Sequence, residues 1–284
     1  MNRLIISTVV LFLSCTSLFS QSDSNIVDCI SFNVRYDNPN DGENNWDNRK
    51  ASVLALLKKY NPSIIGLQEL MDHQLTYLKS KLAGYKSFGV GRDDGMKKGE
   101  YCSIFVDTSK LSVIKDSTFW LSLSPNIPSK SWDAALNRIC TYVLAEHIDS
   151  RGRIHVLNVH FDHKGKKARY ESAKLIKQFI VDNVPQHDAV VLLGDFNASD
   201  KENTIVEILS FLKDPYLTDN IVNELSGTYN GFDRNKELNE RIDYIFYSNL
   251  EPVSYRHLYH LRTETLFISD HFPVFAQFKL INPN

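Results

Sequence analysis

The sequence has few cysteines, and their spacing excludes a cysteine-based metal site. Four occur among the 284 residues, at Cys15, Cys29, Cys102 and Cys140. Cys15 lies in an N-terminal segment that we expect to be removed, whereas the other three lie in apolar, strand-like stretches. Because three cysteines can form at most one disulfide bond, we expect buried free thiols.

The sequence also lacks an excess of charge of either sign. It has 32 basic and 34 acidic residues, which gives a formal net charge of −2. Such a chain has no general attraction for polyanions, which argues against a non-specific nucleic-acid binder. A nuclease with a local basic cleft remains open. Lysines that could supply such a cleft are Lys97, Lys98, Lys164, Lys166 and Lys167, although a solvated lysine face is the more ordinary interpretation.

No apolar run is long enough to span a membrane. The longest, Leu4 to Leu13, follows Arg3 and leads into small and polar residues up to Ser20. This pattern is typical of a secretory signal peptide and is too short for a stable membrane span. We predict export to the periplasm or the medium, with residues 1–20 as signal peptide. Lipid attachment at Cys15 is the alternative.

The rest of the chain, residues 21–284, has no linker, repeat or charge block, so we predict a single domain. Strand-like stretches outnumber helices, which are predicted from an N-cap at Asp47–Asn48 to Lys59, from Asp72 to Leu82, and from Lys166 to Val181. This order is not the regular alternation of a doubly wound fold. It predicts an α/β sandwich with two sheets inside and helices outside.

One apolar stretch ends in groups that suit catalysis. Val190 to Leu193 has the composition of a strand buried on both faces, and Gly194, Asp195, Phe196 and Asn197 follow it. If the chain stays extended, Asp195 and Asn197 point the same way. An ordinary turn is the alternative, since Gly, Asp and Asn are common turn residues.

The same feature recurs along the chain: an apolar strand ends in an isolated acid, amide or imidazole. The residues are Asn33, Glu69, His160, Asp195 with Asn197, Asp243, and Asp270 with His271. Each alone could be a turn residue, a helix cap or a hydrogen-bonded structural histidine. Carboxylates at apolar strand ends are costly to bury unless a cation compensates them. We therefore predict that they gather at one edge.

Such a set indicates a particular chemistry. Carboxylate and amide oxygens without thiolates favour a hard cation, Mg²⁺ or Mn²⁺, which polarises a phosphoryl oxygen. A carboxylate can deprotonate an attacking water, and a histidine can stabilise the phosphorus centre or protonate the leaving oxygen. The prediction is metal-assisted phosphoester hydrolysis.

Six motifs together resemble the endonuclease/exonuclease/phosphatase superfamily. They are Asn33, Gln68-Glu69, His160-x-Asp162-His163, Gly194-Asp195-x-Asn197, Asp243-Tyr244 and Ser269-Asp270-His271-x-Pro273. That superfamily includes pancreatic deoxyribonuclease, apurinic-site endonucleases, bacterial sphingomyelinases, inositol-polyphosphate phosphatases and deadenylase nucleases. The resemblance implies a deoxyribonuclease I-like fold: a four-layer α/β/β/α sandwich with two packed, mainly antiparallel sheets.

The resemblance also implies roles for individual residues. Glu69 matches the principal metal ligand, Asn33 a residue that helps hold the metal site, and Asp270 a metal-linked or supporting acid. Asp195 matches the acid that activates the water, and Asn197 the amide that holds the phosphate.

The two histidines have more than one implied arrangement. His271 matches the terminal catalytic histidine and His160 the second histidine of the deoxyribonuclease-like branch. In that branch Asp243 would orient His160, and Glu100 would orient His271. In other branches His271 pairs with Asp243 instead, and the sequence leaves this choice open.

Three further residues complete the predicted site. Arg138 resembles an arginine at a strand start that contacts the substrate phosphate. Asp162 and His163 belong to the motif that begins at His160, and we assign them supporting roles.

Together these patterns predict an exported, Mg²⁺-dependent phosphodiesterase, nuclease-like or phospholipase-like. Its substrate would be a nucleic acid, a phospholipid head group or a small phosphodiester. We expect a monomer with no obligate protein partner. A phosphomonoesterase and a non-catalytic binding module are the alternatives. Phe119–Leu121 could be a membrane-entering hairpin, but a core strand is the better interpretation.

Overall fold

The computed structural model describes residues 25–218 and 227–281. The predicted signal peptide lies outside them. The strands are β1 (Ile26–Asn33), β2 (Ile64–Leu70), β3 (Tyr85–Phe88), β4 (Tyr101–Asp107), β5 (Leu111–Trp120), β6 (Ile139–His147), β7 (Arg153–His160), β8 (Ala189–Asp195), β9 (Asp243–Ser248), β10 (Leu250–His257) and β11 (Val274–Leu280). The α-helices are α1 (Trp46–Tyr60), α2 (Asp72–Lys81), α3 (Lys166–Asn183) and α4 (Asn203–Leu209).

The strands form two sheets. Sheet A has the order β10-β11-β1-β2-β4-β3, and sheet B has the order β5-β6-β7-β8-β9. Each contains one parallel pair, β1 with β2 in sheet A and β7 with β8 in sheet B; the other pairings are antiparallel. Since the strands of a parallel pair end at the same edge of a sheet, each sheet brings two strand ends together.

Three hydrophobic layers account for the predicted architecture. The inner faces of the sheets pack on each other through residues such as Ile104, Val156 and Leu193. Helices α1 and α2 cover the outer face of sheet A, where Leu57 is buried, and α3 and α4 cover sheet B, where Ile176 is buried. The prediction of a four-layer α/β/β/α sandwich with mainly antiparallel sheets is confirmed.

A buried amide ties the two sheets together beneath the strand ends. The Asn158 side chain, on β7, donates from Nδ2 to the carbonyl oxygens of Leu67 at 3.0 Å and Ser103 at 2.8 Å, both in sheet A. Its Oδ1 accepts from Gln68 Nε2 at 2.7 Å. Leaving such groups unpaired in a core is costly, so these bonds favour one alignment of the sheets.

Several boundaries differ from the sequence predictions. Helix α1 is capped by Asn45, whose side chain accepts from the Asn48 backbone N–H at 3.0 Å, rather than by Asp47–Asn48. Strand β9 begins at Asp243 instead of Arg241. Helix α4 and strand β10 were not predicted. In β10 the pairing with β11 is interrupted after Pro252, and a proline within a run argues against a strand in the sequence.

Two predictions about apolar residues are confirmed. Cys29, Cys102 and Cys140 are buried free thiols. Phe119 and Trp120 end β5, Leu121 follows directly, and Trp120 and Leu121 are buried. In the described part of the chain no helix has the length and hydropathy needed to cross a membrane.

Gly66 offers a test of the packing between the sheets. A Cβ at this position would overlap the Leu193 side chain and lie 3.2 Å from Asn158 Cγ. We predict that Gly66→Ala lowers the free energy of unfolding by about 1–3 kcal/mol, because overpacking displaces core atoms. Gly152→Ala is the control, since its Cβ would meet its nearest neighbours at 3.5 Å, an ordinary contact. Equal stability of the two variants in urea titrations would contradict this account of the core.

Candidate active site

Strand register places three of the predicted residues in one row across sheet B. His160, the last residue of β7, pairs with Asp195, the last residue of β8. Asp195 in turn pairs with Asp243, the first residue of β9. Side chains opposite each other on adjacent strands lie on the same face, so an imidazole and two carboxylates become neighbours.

Sheet A presents Glu69 through a distortion of β2. The pairing of β2 with β4 shifts register between Leu67 and Leu70, and Glu69 has φ = +63°. Left-handed backbone is uncommon for a residue with a side chain, and such strain concentrates at functional sites. The irregularity turns the Glu69 carboxylate toward the pocket, where it lies partly exposed.

The Asn33 amide connects the two sheets at this point. Its Nδ2 donates to Glu69 Oε1 and to Asp195 Oδ2, both at 3.0 Å, and lies 3.5 Å from His271 Nε2. Its Oδ1 accepts the Arg35 backbone N–H at 3.0 Å. The oxygen is thus engaged elsewhere, and Asn33 supports the predicted metal site by holding its acids.

The structure decides between the two histidine arrangements that the sequence left open. His271 Nδ1 lies 2.8 Å from Asp243 Oδ2, so Asp243 orients His271 and not His160. Although burial opposes the charged form, the carboxylates of Asp243 and Asp195 raise the pKa of His271 to about 10. His271 is therefore an imidazolium at neutral pH, with Nε2 3.9 Å from Asp195 Oδ2.

His160 has the other acid, Glu100, beside it. His160 Nδ1 lies 3.8 Å from Glu100 Oε2, and its Nε2 lies 3.5 Å from Asp195 Oδ2. Burial and the charges of Arg138 and Arg92 hold the pKa of His160 well below its usual value. Arg92, which the sequence analysis did not identify, donates two hydrogen bonds to Glu100 at 2.7 and 2.8 Å. His160 is thus a neutral imidazole at neutral pH.

Asp195 has the properties of a general base. Burial and the neighbouring charge of Asp243 raise its pKa to about 7, which suits proton transfer near neutral pH. Its Oδ1 accepts the Asn197 backbone N–H at 2.9 Å. The sequence left open whether this stretch is a strand end or a turn, and both occur. Strand β8 continues to Asp195, and the turn that follows contains Asn197, whose φ is +47°. The Asn197 side chain donates to the Phe161 carbonyl at 3.0 Å and lines the pocket.

The residues present fit a hard divalent cation. Glu69, His160 and Asp195 each place one ligand atom within 4.8 Å of the others. Asp270 also lines the pocket, and burial together with the charge of Glu69 raises its pKa. Arg35 lies 3.6 Å from Asp270 and is shared with Asp41. Carboxylate oxygens are the donors that such a cation prefers.

The site opens into a pocket of about 500 Å³. All the predicted residues line it except Asn33, Asp162 and Asp243, which lie behind its surface. Three of its lining residues were not anticipated from the sequence: Leu136, Tyr229 and Ile242. Arg35 and Tyr36 also line it; they begin the loop of residues 35–45, which the sequence predicts to flank the pocket. The lysines considered for a basic cleft are not among the lining residues.

Arg138 is held by its two predicted companions. Its Nε donates to Asp162 Oδ2 at 3.3 Å, and its Nη2 lies 3.0 Å from His163 Nδ1. Arg138 is only 4% exposed, so most of its guanidinium faces protein. Asp162 also accepts backbone N–H groups of Leu136, Lys164 and Gly165. Against the effect of burial, these bonds and Arg138 keep the pKa of Asp162 below its usual value.

The pairing of His271 with Asp243 makes a prediction. Asp243→Asn should lower the pKa of His271 from about 10, because a negative charge beside Nδ1 is removed. The imidazolium would then lose its proton at lower pH in an NMR titration of the metal-free protein. Asp116→Asn, an exposed site in β5, should leave this titration unchanged. An unaltered His271 titration in the Asp243 variant would contradict the pairing.

Comparison with known proteins supports this description. The model of the endonuclease/exonuclease/phosphatase family matches residues 30–271. An endonuclease/exonuclease/phosphatase family protein of Bacteroides thetaiotaomicron is 35% identical, with a TM-score of 0.86 over 90% of this chain and 98% of that one. A mannosyl-6-phosphatase of the same organism is also 35% identical, with a TM-score of 0.84 over 89% of this chain and 99% of that one.

A curated relative is more distant. Human tyrosyl-DNA phosphodiesterase 2 is 25% identical over 182 residues, which are 61% of this chain and 45% of that protein. The family match covers most of the chain and contains every predicted site residue. The protein therefore belongs to the endonuclease/exonuclease/phosphatase family, whose members are phosphoester hydrolases that depend on divalent metal ions.

Proposed function

We propose that the protein is a Mg²⁺- or Mn²⁺-dependent phosphomonoesterase that acts on a small phosphorylated sugar. The observation that carries the proposal is the pocket: a base, an imidazolium and a cation-binding set of carboxylates meet in a cavity of about 500 Å³. A cavity of this size suits a small ligand. The similarity to a mannosyl-6-phosphatase along nearly its whole length supports a monoester of a sugar.

In this proposal each residue has one task. Glu69, from the group whose ligand atoms lie close together, would hold the cation with Asp270, as the resemblance implies. The cation would supply electrostatic stabilisation of the phosphoryl group when bound. Asp195, restrained by Asn33, accepts a proton from the attacking water. His271 presents its positive charge toward the phosphate, and Asp243 keeps its ring in place through Nδ1.

Phosphodiester hydrolysis, the prediction from the sequence, is the second candidate. The similarity to tyrosyl-DNA phosphodiesterase 2 favours it. That similarity is lower, at 25% identity against 35% for the mannosyl-6-phosphatase. In addition, the lysines considered for a basic cleft do not line the pocket. The monoester is therefore the better supported substrate.

The main test is a matched pair of substrates. Residues 21–284 with Mg²⁺ should hydrolyse p-nitrophenyl phosphate and mannose 6-phosphate faster than bis(p-nitrophenyl) phosphate or DNA, and a chelator should stop the reaction. Asp195→Asn should lower kcat by about 100- to 10,000-fold, because the general base is lost. The exposed substitution Asp116→Asn should not affect it. Faster cleavage of the diester would favour the second candidate, and an active Asp195→Asn variant would refute the mechanism.

Export is a separate proposal, supported by the apolar segment that follows Arg3. In a Gram-negative host the full chain should yield a mature protein whose N-terminal sequencing begins at Gln21. Cys15→Ser should leave this result unchanged. A membrane-bound product that begins at a lipid-modified Cys15 would contradict signal-peptide cleavage after Ser20.

A further inference from the structure

His163 is an exposed histidine on the pocket wall whose hydrogen-bonding state is fixed by its neighbour. Its Nδ1 lies 3.0 Å from Nη2 of Arg138. A guanidinium stays protonated and can only donate hydrogen bonds, so Nδ1 must accept. The remaining proton of the neutral ring is therefore on Nε2. Burial and the charge of Arg138 lower the pKa of His163, which keeps the ring neutral.

The wall that carries His163 is rigid. Asp162 accepts hydrogen bonds from the backbone N–H groups of Lys164 at 3.0 Å and Gly165 at 2.8 Å, which fixes the turn after His163. It also accepts the Leu136 backbone N–H at 3.2 Å. Leu136 and His163 thus belong to separate loops that one carboxylate holds together. A donor held in this way needs no reorganisation to bind an oxygen.

On each side of the pocket an arginine is paired with an aspartate, and the two arginines differ in their second partner. On one side, Arg35 is paired with Asp41 at 3.0 Å and lies 3.6 Å from Asp270, so its positive charge is compensated. On the other side, Arg138 forms an ion pair with Asp162 and donates a second hydrogen bond to His163. The ring of His163 and the Arg138 guanidinium line the same pocket as Asn197 and Asp195.

We propose that His163 donates its Nε2–H to a terminal oxygen of the substrate phosphate and thereby selects monoesters over diesters. The proposal rests on the proposed phosphoesterase function. A monoester carries an additional unsubstituted oxygen that can accept this hydrogen bond. A diester carries its second organic group on that oxygen, and the group would lie against Leu136 and His163. Arg138 is a positioning residue that fixes the tautomer of His163.

The test compares p-nitrophenyl phosphate with bis(p-nitrophenyl) phosphate, which have the same leaving group. With Mg²⁺ and residues 21–284, His163→Ala should lower kcat/KM for the monoester by about 10- to 100-fold, the usual effect of one hydrogen bond to a charged group. The kcat/KM for the diester should change by less than about threefold, because the diester lacks the oxygen that would accept this hydrogen bond. His163→Gln should retain more monoester activity than His163→Ala, because the glutamine amide can place an N–H near the former Nε2.

His187→Ala is the matched control, since His187 is exposed and does not line this pocket. It should not change either rate. Equal losses on the two substrates in His163→Ala, or no loss on the monoester, would overturn the role of His163 while leaving the phosphomonoesterase function intact. A wild-type protein that cleaves the diester and not the monoester would instead overturn the proposed function.

The tautomer is testable without turnover. The ¹⁵N chemical shifts of the His163 ring in the wild-type protein should be those of a neutral ring protonated at Nε2. In Arg138→Met the ¹⁵N shift of Nδ1 should change, because the donor to Nδ1 is absent, and the pKa of His163 should rise, because the charge that lowers it is removed. A wild-type ring protonated at Nδ1 would overturn the proposal. If Arg138→Met does not fold, the wild-type shifts alone decide.

Discussion

The site depends on amide side chains that hold two separately built sheets in one alignment. Asn158 fixes sheet B against carbonyl groups of sheet A below the site, and Asn33 joins Glu69 of one sheet to Asp195 of the other. Apolar packing alone is non-directional and would tolerate small shifts between the sheets. Buried hydrogen bonds do not, because a shift leaves polar groups unpaired. The catalytic distances follow from this constraint.

The electrostatics of the site follow from the same alignment. Adjacent strands place Asp195 opposite Asp243, an arrangement in which like charges repel. The repulsion is offset because His271 lies near both carboxylates, and its charge is stabilised by them in return. A base with a pKa near 7 and an imidazolium whose pKa is about 10 are thus two results of one cluster.

Much of this site could be predicted from the sequence, and the reason is physical. An acid or histidine at the end of an apolar strand, such as Asp195 or His160, is conspicuous because burial there costs free energy. The pairing of His271 with Asp243 was not predictable, since it depends on how the segment before β11 approaches the first residue of β9. Asn158 gives no signal, because a single amide within an apolar strand is common. Tyr229 lies in a segment without strand or helix periodicity, so nothing in the pattern places it at the pocket.

The chemistry and the pocket wall come from different parts of the chain. Asp195 and His160 belong to strands that the core holds, whereas Leu136, His163 and Tyr229 lie in connecting segments. Connecting segments tolerate substitutions and changes of length better than the strands they join. Divergence among descendants of one ancestral gene can therefore alter what enters the cavity while the reactive centre persists. An engineer seeking a new leaving group should likewise diversify these connections and leave the strand termini untouched.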